Sequence, residues 1–319
     1  MSEVSRRALL GGLLGTTTLP AACGRASEDG TPGPGGATAA GGTRTVESAR
    51  GPVEIPRAPR RVVCTDFYST YALLDVGFTP VGTAEATVGG VLPAQQAAYD
   101  ALTKVGTTTE LRYEAIAALT PDLVLGTLVP GLAEDLPEKL AAIAPTALFA
   151  ASSPGDWKQR AVRAADAVGR RAEGEALARA YDARVAELRS THAEPLGRLT
   201  WALVRASTDG TVFVDGATSW SGVVLADLGA RLTAAAPADV PTTPISAERY
   251  DGLADADVVL SLADATGRPD PRTADALGQA AFTRTVDAAR QVPLSSYYAA
   301  HYLDGQAVLD QVEAVLEQS

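Results

Sequence analysis

Only two histidines occur in this 319-residue chain, His192 and His301, and only two cysteines, Cys23 and Cys64. A site for bare zinc or manganese needs several imidazole, thiolate or carboxylate ligands close together. No Cys/His cluster supplies them, so no metal site on the protein itself and no resident cofactor are expected. Nucleophilic catalysis is equally poorly provided for. There is no Gly-x-Ser-x-Gly elbow, and nothing in the spacing links Ser219 or Ser221 to His301. No phosphate loop or dinucleotide fingerprint is present. The residue types that do suit a site are aromatic rings and arginines beside strand ends. Tyr68 follows the run Arg61–Asp66, and Arg205 ends the run Leu199–Arg205. Arg112 precedes a helix led by Glu114, and Trp220 opens a helix of the second half. Tyr297, Tyr298, His301 and Tyr302 cluster after the last short strand, with Tyr302 and one of Tyr297 and Tyr298 expected in the core. Guanidinium groups donate to oxygens and rings stack on flat faces. The set therefore suits a bulky ligand that is apolar at its rim and rich in oxygen within.

The elements that must position these residues follow from hydrophobic periodicity. Short apolar runs alternate with helical patterns, the signature of parallel α/β units. In the first half, strands are predicted at Arg61–Asp66, Pro80–Gly82, Asp122–Gly126 and Thr146–Ala150. Helices are predicted at Ser69–Val76, Leu92–Leu102, Tyr113–Leu119 and Ala133–Ile143. Asp156 to Leu188 then reads as one long helical region, N-capped by Asp156, broken near Gly169, with Leu177, Tyr181, Val185 and Leu188 on one face. A second series predicts strands at Leu199–Arg205, Thr211–Asp215, Val258–Ala263 and Gln291–Leu294. Its helices are Ser221–Leu228, Ala247–Leu253, Ala274–Gly278 and Leu303–Glu317. The expected architecture is two α/β lobes with central sheets, residues 45–155 and 196–319, joined by a long helix over 156–195. A ligand cleft is expected between them, at strand C-termini.

The front end says where such a protein works. Ser5-Arg6-Arg7-Ala8-Leu9-Leu10 resembles a twin-arginine export signal, through Arg6 and Arg7. Ala8 to Ala22 carries no charge but is too short to span a bilayer core, which needs about 20 apolar residues. Small residues precede Cys23 as at a processing site. The reading is a signal peptide over 1–22, lipid on Cys23 and a flexible Gly/Pro tether over 23–44. Without Met1–Ala22 the chain keeps 25 basic and 37 acidic side chains, a formal charge of −12. That argues against nucleic acid and against an electrostatic membrane patch. With Cys23 lipidated, Cys64 has no disulfide partner and reads as a buried apolar thiol.

Several segments carry a family resemblance. Gly51-Pro52-Val53-Glu54-Ile55-Pro56 followed by Pro59-Arg60-Arg61-Val62-Val63 is one. Leu73-Leu74-Asp75-Val76-Gly77-Phe78-Thr79-Pro80-Val81-Gly82 is another. The best match is Tyr113-Glu114-Ala115-Ile116-Ala117-Ala118-Leu119-Thr120-Pro121-Asp122-Leu123-Val124-Leu125. Ser219-Trp220-Ser221-Gly222 and Ser246-Ala247-Glu248 continue it in the second half. In order and spacing these resemble the iron–siderophore substrate-binding lipoproteins of ABC transporters, over roughly residues 45–319. The resemblance implies a monomeric, non-catalytic binding protein on the extracytoplasmic membrane face. Its ligand would be a ferric siderophore, with the hydroxamate type favoured, and its partner an ABC permease. It implies docking onto the permease through Glu114 and Glu248. Ligand contacts would come from Tyr68, Arg112, Arg205, Trp220, Tyr297 and Tyr298. Haem or cobalamin on the same fold is the alternative, with Tyr297, Tyr298 or His301 as an axial ligand to haem. An exported hydrolase using Ser219 or Ser221 is the rival of another class.

Overall fold

The structure, a computed structural model, describes residues 42–86, 88–128, 135–287 and 290–319. The expected export signal with Arg6 and Arg7, the expected lipidation site Cys23 and nearly all of the expected tether lie outside the described residues. The first described element is an antiparallel hairpin, β1 (Thr43–Ser48) and β2 (Gly51–Pro56), so the chain is already in a strand at Thr43.

The first lobe follows as β3 (Val62–Cys64), α1 (Phe67–Asp75), β4 (Gly82–Glu85), α2 (Gln96–Asp100), β5 (Thr103–Thr107), α3 (Tyr113–Ala118), β6 (Leu123–Leu128), α4 (Leu136–Ala141) and β7 (Thr146–Ala150). Its five strands run parallel in the order β5-β4-β3-β6-β7. Every residue of β3 and the first four of β6 are buried. This is why they read as unbroken apolar runs: helices cover both faces of a parallel sheet. Cys64 lies inside this layer, and burial pushes its thiol pKa up, as expected of an inert thiol. Between β3 and β6 the strand order reverses, which opens a crevice at their C-terminal ends. The two best sequence motifs meet at the opposite end of these strands. The Asp122 carboxylate accepts from the Arg60 and Arg61 amides, and the Arg61 guanidinium donates to the Leu119 and Thr120 carbonyls at the end of α3. Pro121 stops that helix, and Thr120 turns the chain with φ 43°.

The connection between lobes is helical but broken. α5 (Trp157–Ala167) and α6 (Arg171–Thr191) are separated at Gly169, whose φ of 75° suits glycine. The Asp156 side chain does not cap α5; it accepts from the Ser152 and Ser153 amides in a capping box with Ser153. Tyr181, Val185 and Leu188 are buried on one face of α6, with Leu177 partly so. On the other side Arg184 pairs with Glu187 and Glu313. His192, just past the end of α6, is partly buried with Nε2 3.8 Å from Glu313. α7 (Ala193–Arg198) then leads into the second lobe.

That lobe comprises β8 (Thr200–Ala206), β9 (Val212–Asp215), α8 (Gly222–Asp227), β10 (Arg231–Leu232), β11 (Thr242–Ile245), a 3₁₀ helix over Ala247–Leu253, β12 (Val258–Leu262), α9 (Pro271–Leu277), α10 (Ala280–Thr283), β13 (Gln291–Leu294) and α11 (Tyr302–Leu316). The sheet order is β11-β9-β8-β12-β13, with β10 also paired to β8. It departs from an all-parallel pattern, because β9 runs antiparallel to both β8 and β11. The cause is visible in the chain: Ser207–Thr211 is too short for a crossover helix and permits only a hairpin. The connecting helices and both lobes share one apolar cluster, in which Trp157, Tyr181 and Tyr302 pack edge to face. Among the described residues, no helix is long and apolar enough to cross a membrane.

One close approach fixes the entry to α8. A Cβ on Gly222 would lie 1.9 Å from the Gly216 carbonyl oxygen. Gly222→Ala is therefore expected to lower stability by about 1–3 kcal/mol, read as a lower urea midpoint at unchanged m-value.

Candidate ligand-binding site

Both sheets end in cavities. At the switch point of the first sheet, Thr65 and Asp66 after β3, Thr108 and Thr109 after β5, Thr127 on β6 and Ser152 and Ser153 after β7 enclose about 220 Å³. Tyr68, Tyr113, Leu111, Leu136, Pro154 and Arg160 complete the wall. A larger cavity of about 730 Å³ lies at the C-terminal ends of β8, β12 and β13, with Val88, Gly89 and Gly90 of the first lobe on its rim. Its charged lining consists of Arg205, Arg268, Arg272, Asp264, Asp270 and Asp304.

A run of aromatic rings joins the two cavities. The Trp220 Nε1–H donates to the Tyr68 hydroxyl at 2.8 Å, across the lobe boundary. The Tyr298 ring stands edge-on to Trp220, with centroids 4.9 Å apart. A guanidinium closes each end of the run. Arg160 lies 3.8 Å above the Tyr68 ring, and Arg205 lies 5.6 Å from Trp220 and 5.9 Å from Tyr298. Arg205 is fixed by Asp215 at 3.0 Å and by Thr242 at 3.1 Å. Burial raises the Tyr68 and Tyr298 pKa values, with Arg160 and Arg205 respectively opposing the shift. Both phenols stay protonated at neutral pH and can donate hydrogen bonds.

The loop that carries Trp220 is held from several sides. The Trp157 indole donates to the Trp220 carbonyl at 3.1 Å, and the Gly155 amide donates to the Thr218 carbonyl at 3.0 Å. Ser221 Oγ donates to the carbonyls of Ser296 and Tyr297. Ser219 Oγ accepts from the amide of Gly222, the first residue of α8. The Trp220 ring is thus held in place by the protein's own hydrogen bonds.

The other residues named from the sequence fall differently. Tyr297 is fully buried behind Tyr298, where burial and then the Asp215 charge push its hydroxyl pKa far up. Arg112 is exposed and donates to the Lys104 carbonyl; it lines neither cavity. Glu114 and Glu248 are exposed in the first turns of their helices, one in each lobe. His301 is fully buried, with Nδ1 2.8 Å from Asp75 and Nε2 3.1 Å from Asp304. Both ring nitrogens face carboxylates, so the imidazole has no free position for a haem iron and none for a serine nucleophile. Ser219 and Ser221 are themselves buried in structural hydrogen bonds.

Residues 62–288, more than two thirds of the chain, match the periplasmic binding protein family. The chain belongs to this family. Its members bind solutes and are not enzymes, so the hydrolase reading falls. Among curated relatives, the probable siderophore-binding lipoprotein YfiY of Bacillus subtilis is 33% identical over 195 residues, covering 59% of this chain and 57% of the relative. The Fe(3+) dicitrate-binding periplasmic protein FecB of Escherichia coli is 28% identical, covering 62% of this chain and 65% of FecB. The matched segments thus span less than two thirds of these relatives. Among solved structures, the siderophore periplasmic binding protein from the fuscachelin gene cluster of Thermobifida fusca is similar at a TM-score of 0.74. It is 30% identical, over 83% of this chain and 99% of that one.

Within this periplasmic binding protein, sequence reasoning missed the lining of the smaller cavity apart from Tyr68. Arg160 carried a signal. It shares a helix face with Trp157, Ala161 and Ala164, all buried, so a charge stands in an apolar stripe. Asp66, Thr108 and Thr127 gave none, since polar residues after strands are ordinary in loops.

Proposed function

We propose that this chain is an extracytoplasmic lipoprotein that captures a ferric siderophore between its lobes and delivers it to an ABC permease. The observation that carries the reading is the run Arg160–Tyr68–Trp220–Tyr298–Arg205, which spans the lobe boundary and borders the larger cavity. About 730 Å³ falls within the range of pockets that enclose drug-sized ligands. Charge favours a hydroxamate. Three arginines and three aspartates line the cavity, so its formal charge is balanced. Iron(III) with three hydroxamates is neutral at the metal, whereas a ferric tris-catecholate carries three negative charges for which the balanced lining holds no net positive charge. The names of the relatives agree with an iron-chelate ligand.

Titration of tryptophan fluorescence with ferrioxamine, ferrichrome, a ferric catecholate, hemin and cobalamin tests this reading. Saturable quenching is expected with a ferric hydroxamate. Saturation by hemin or cobalamin alone would overturn the assignment. Glu114 and Glu248 are offered as permease contacts, since each is an exposed carboxylate at a helix start, one per lobe. Reversing both charges should cut cellular iron–chelate uptake at least about tenfold and leave the affinity of the purified protein unchanged. Lost affinity would assign them to the fold instead.

A further inference from the structure

The smaller cavity holds a concentration of buried polar atoms without partners. Of the nine such side-chain atoms among the described residues, three belong to its wall: Asp66 Oδ2, Thr108 Oγ1 and Arg160 Nε. Asp66 is 1% exposed and Arg160 is 5% exposed. The Asp66 Oδ1 atom accepts from the Ser69 amide at 2.7 Å, which caps α1 and leaves Oδ2 unused. Arg160 Nη2 donates to the Pro154 carbonyl at 3.0 Å and Nη1 lies 3.5 Å from Thr127 Oγ1, while Nε donates to nothing in the protein. Buried polar groups are nearly always paired. A charged pair of walls left half-used around one cavity is a cost that a ligand can offset.

We propose that this cavity is a separate subsite for an amide-bearing arm of the chelate, with Asp66 accepting from the arm and Arg160 donating to it. The inference rests on the ferric-chelate reading above. The cavity is too small for the metal centre and its three bidentate groups, but about 220 Å³ accommodates a short chain segment. The chemistry of the wall selects the arm. An ammonium would satisfy Asp66 but leave the Arg160 donor unused and repelled. A carboxylate would do the reverse. An amide offers a donor and an acceptor from two atoms without net charge. Its flat face suits the ring of Tyr113 and the apolar Leu111, Leu136 and Pro154. Tyr68 belongs to this wall and is bonded to Trp220, whose ring meets Tyr298 of the larger cavity's lining, so the arm would enter alongside that pair.

Two chelates with the same iron centre separate arm from metal: ferrioxamine, whose hydroxamates are joined by amide-bearing arms, and iron(III) tris(acetohydroxamate), which has none. Calorimetric titration of the full chain with both, in wild type and in Thr108→Val and Asp66→Asn, tests the subsite. Thr108→Val removes a hydroxyl that has no partner in the protein and that, on this proposal, hydrogen-bonds the arm in the same cavity as Asp66. Asp66→Asn keeps a good helix cap. Each variant is expected to melt like the wild type, to lose roughly five- to tenfold in ferrioxamine affinity, and to bind the armless chelate unchanged. Equal losses for both chelates, or no loss for either, would overturn the subsite and leave the chelate reading standing. Failure of wild type to bind either chelate would overturn both.

Discussion

His301→Ala is expected to destabilise the folded chain by about 3–5 kcal/mol. The imidazole of His301 is buried between Asp75, at the end of α1, and Asp304, in the first turn of α11. Gln95 also donates to Asp75, the Leu303 and Ala300 amides approach the two carboxylates, and Tyr71 stands edge-on to the ring. Removing the imidazolium leaves two buried carboxylates without their counter-charge. Burial alone would hold the ring neutral, but the charges of Asp304 and Asp75 overcome it and push the pKa up to about 10. A folded-state value above the unfolded value of about 6.5 means that protonation favours folding. This contribution is complete below pH ~6.5 and is lost as pH rises through about 10. Thermal melts of the wild type should therefore fall across that window, and the alanine variant should lose this part of the slope. A wild-type melting temperature flat over that range would show that His301 is neutral. The cluster joins α1 of the first lobe to α11, so it also ties together the elements on either side of the cleft.

Trp220→Ala should weaken binding of a ferric hydroxamate by roughly 10–100-fold, the range of a central aromatic anchor. The ring makes the hydrogen bond to Tyr68 and the edge-on contact with Tyr298, and its removal breaks the run that spans the lobes. Trp220→Phe keeps an aromatic face toward Tyr298 and loses only the indole N–H, so a loss of roughly 3–10-fold is expected. Calorimetry avoids the loss of the fluorescent probe in these variants. Unchanged affinity in Trp220→Ala would place the chelate away from this edge of the cleft.

Much of the framework could be read along the chain. The apolar runs at β3, β6, β7, β8 and β12 stood out because strands of a covered sheet are buried on both faces. Gly and Pro marked helix ends where the structure has them, as at Pro121 and Gly169. Missed elements lacked that contrast. β5, Thr-Lys-Val-Gly-Thr, is an edge strand with one fully buried residue. β1 and β2 form a half-exposed hairpin, and β11 contains Pro244 on an edge of the second lobe's sheet. Such strands carry little hydrophobic signal.

The site divides in the same way. Tyr68, Arg205, Trp220 and Tyr298 could be named because aromatic and guanidinium groups beside strand ends are uncommon enough to notice, and the structure gathers them around the cleft. Arg112 satisfied the same rule, yet its side chain turns back to the Lys104 carbonyl. By itself the sequence determined the two α/β series, the broken helix between them, the export-like front end and the residue types available for binding. Those depend on local periodicity and composition. Only the tertiary structure decided that Asp66 and Arg160 face one cavity, and that His301 meets an aspartate 226 positions away. The burial of a charge depends on which distant segment supplies its partner, and that information is carried by packing between elements rather than by spacing within one.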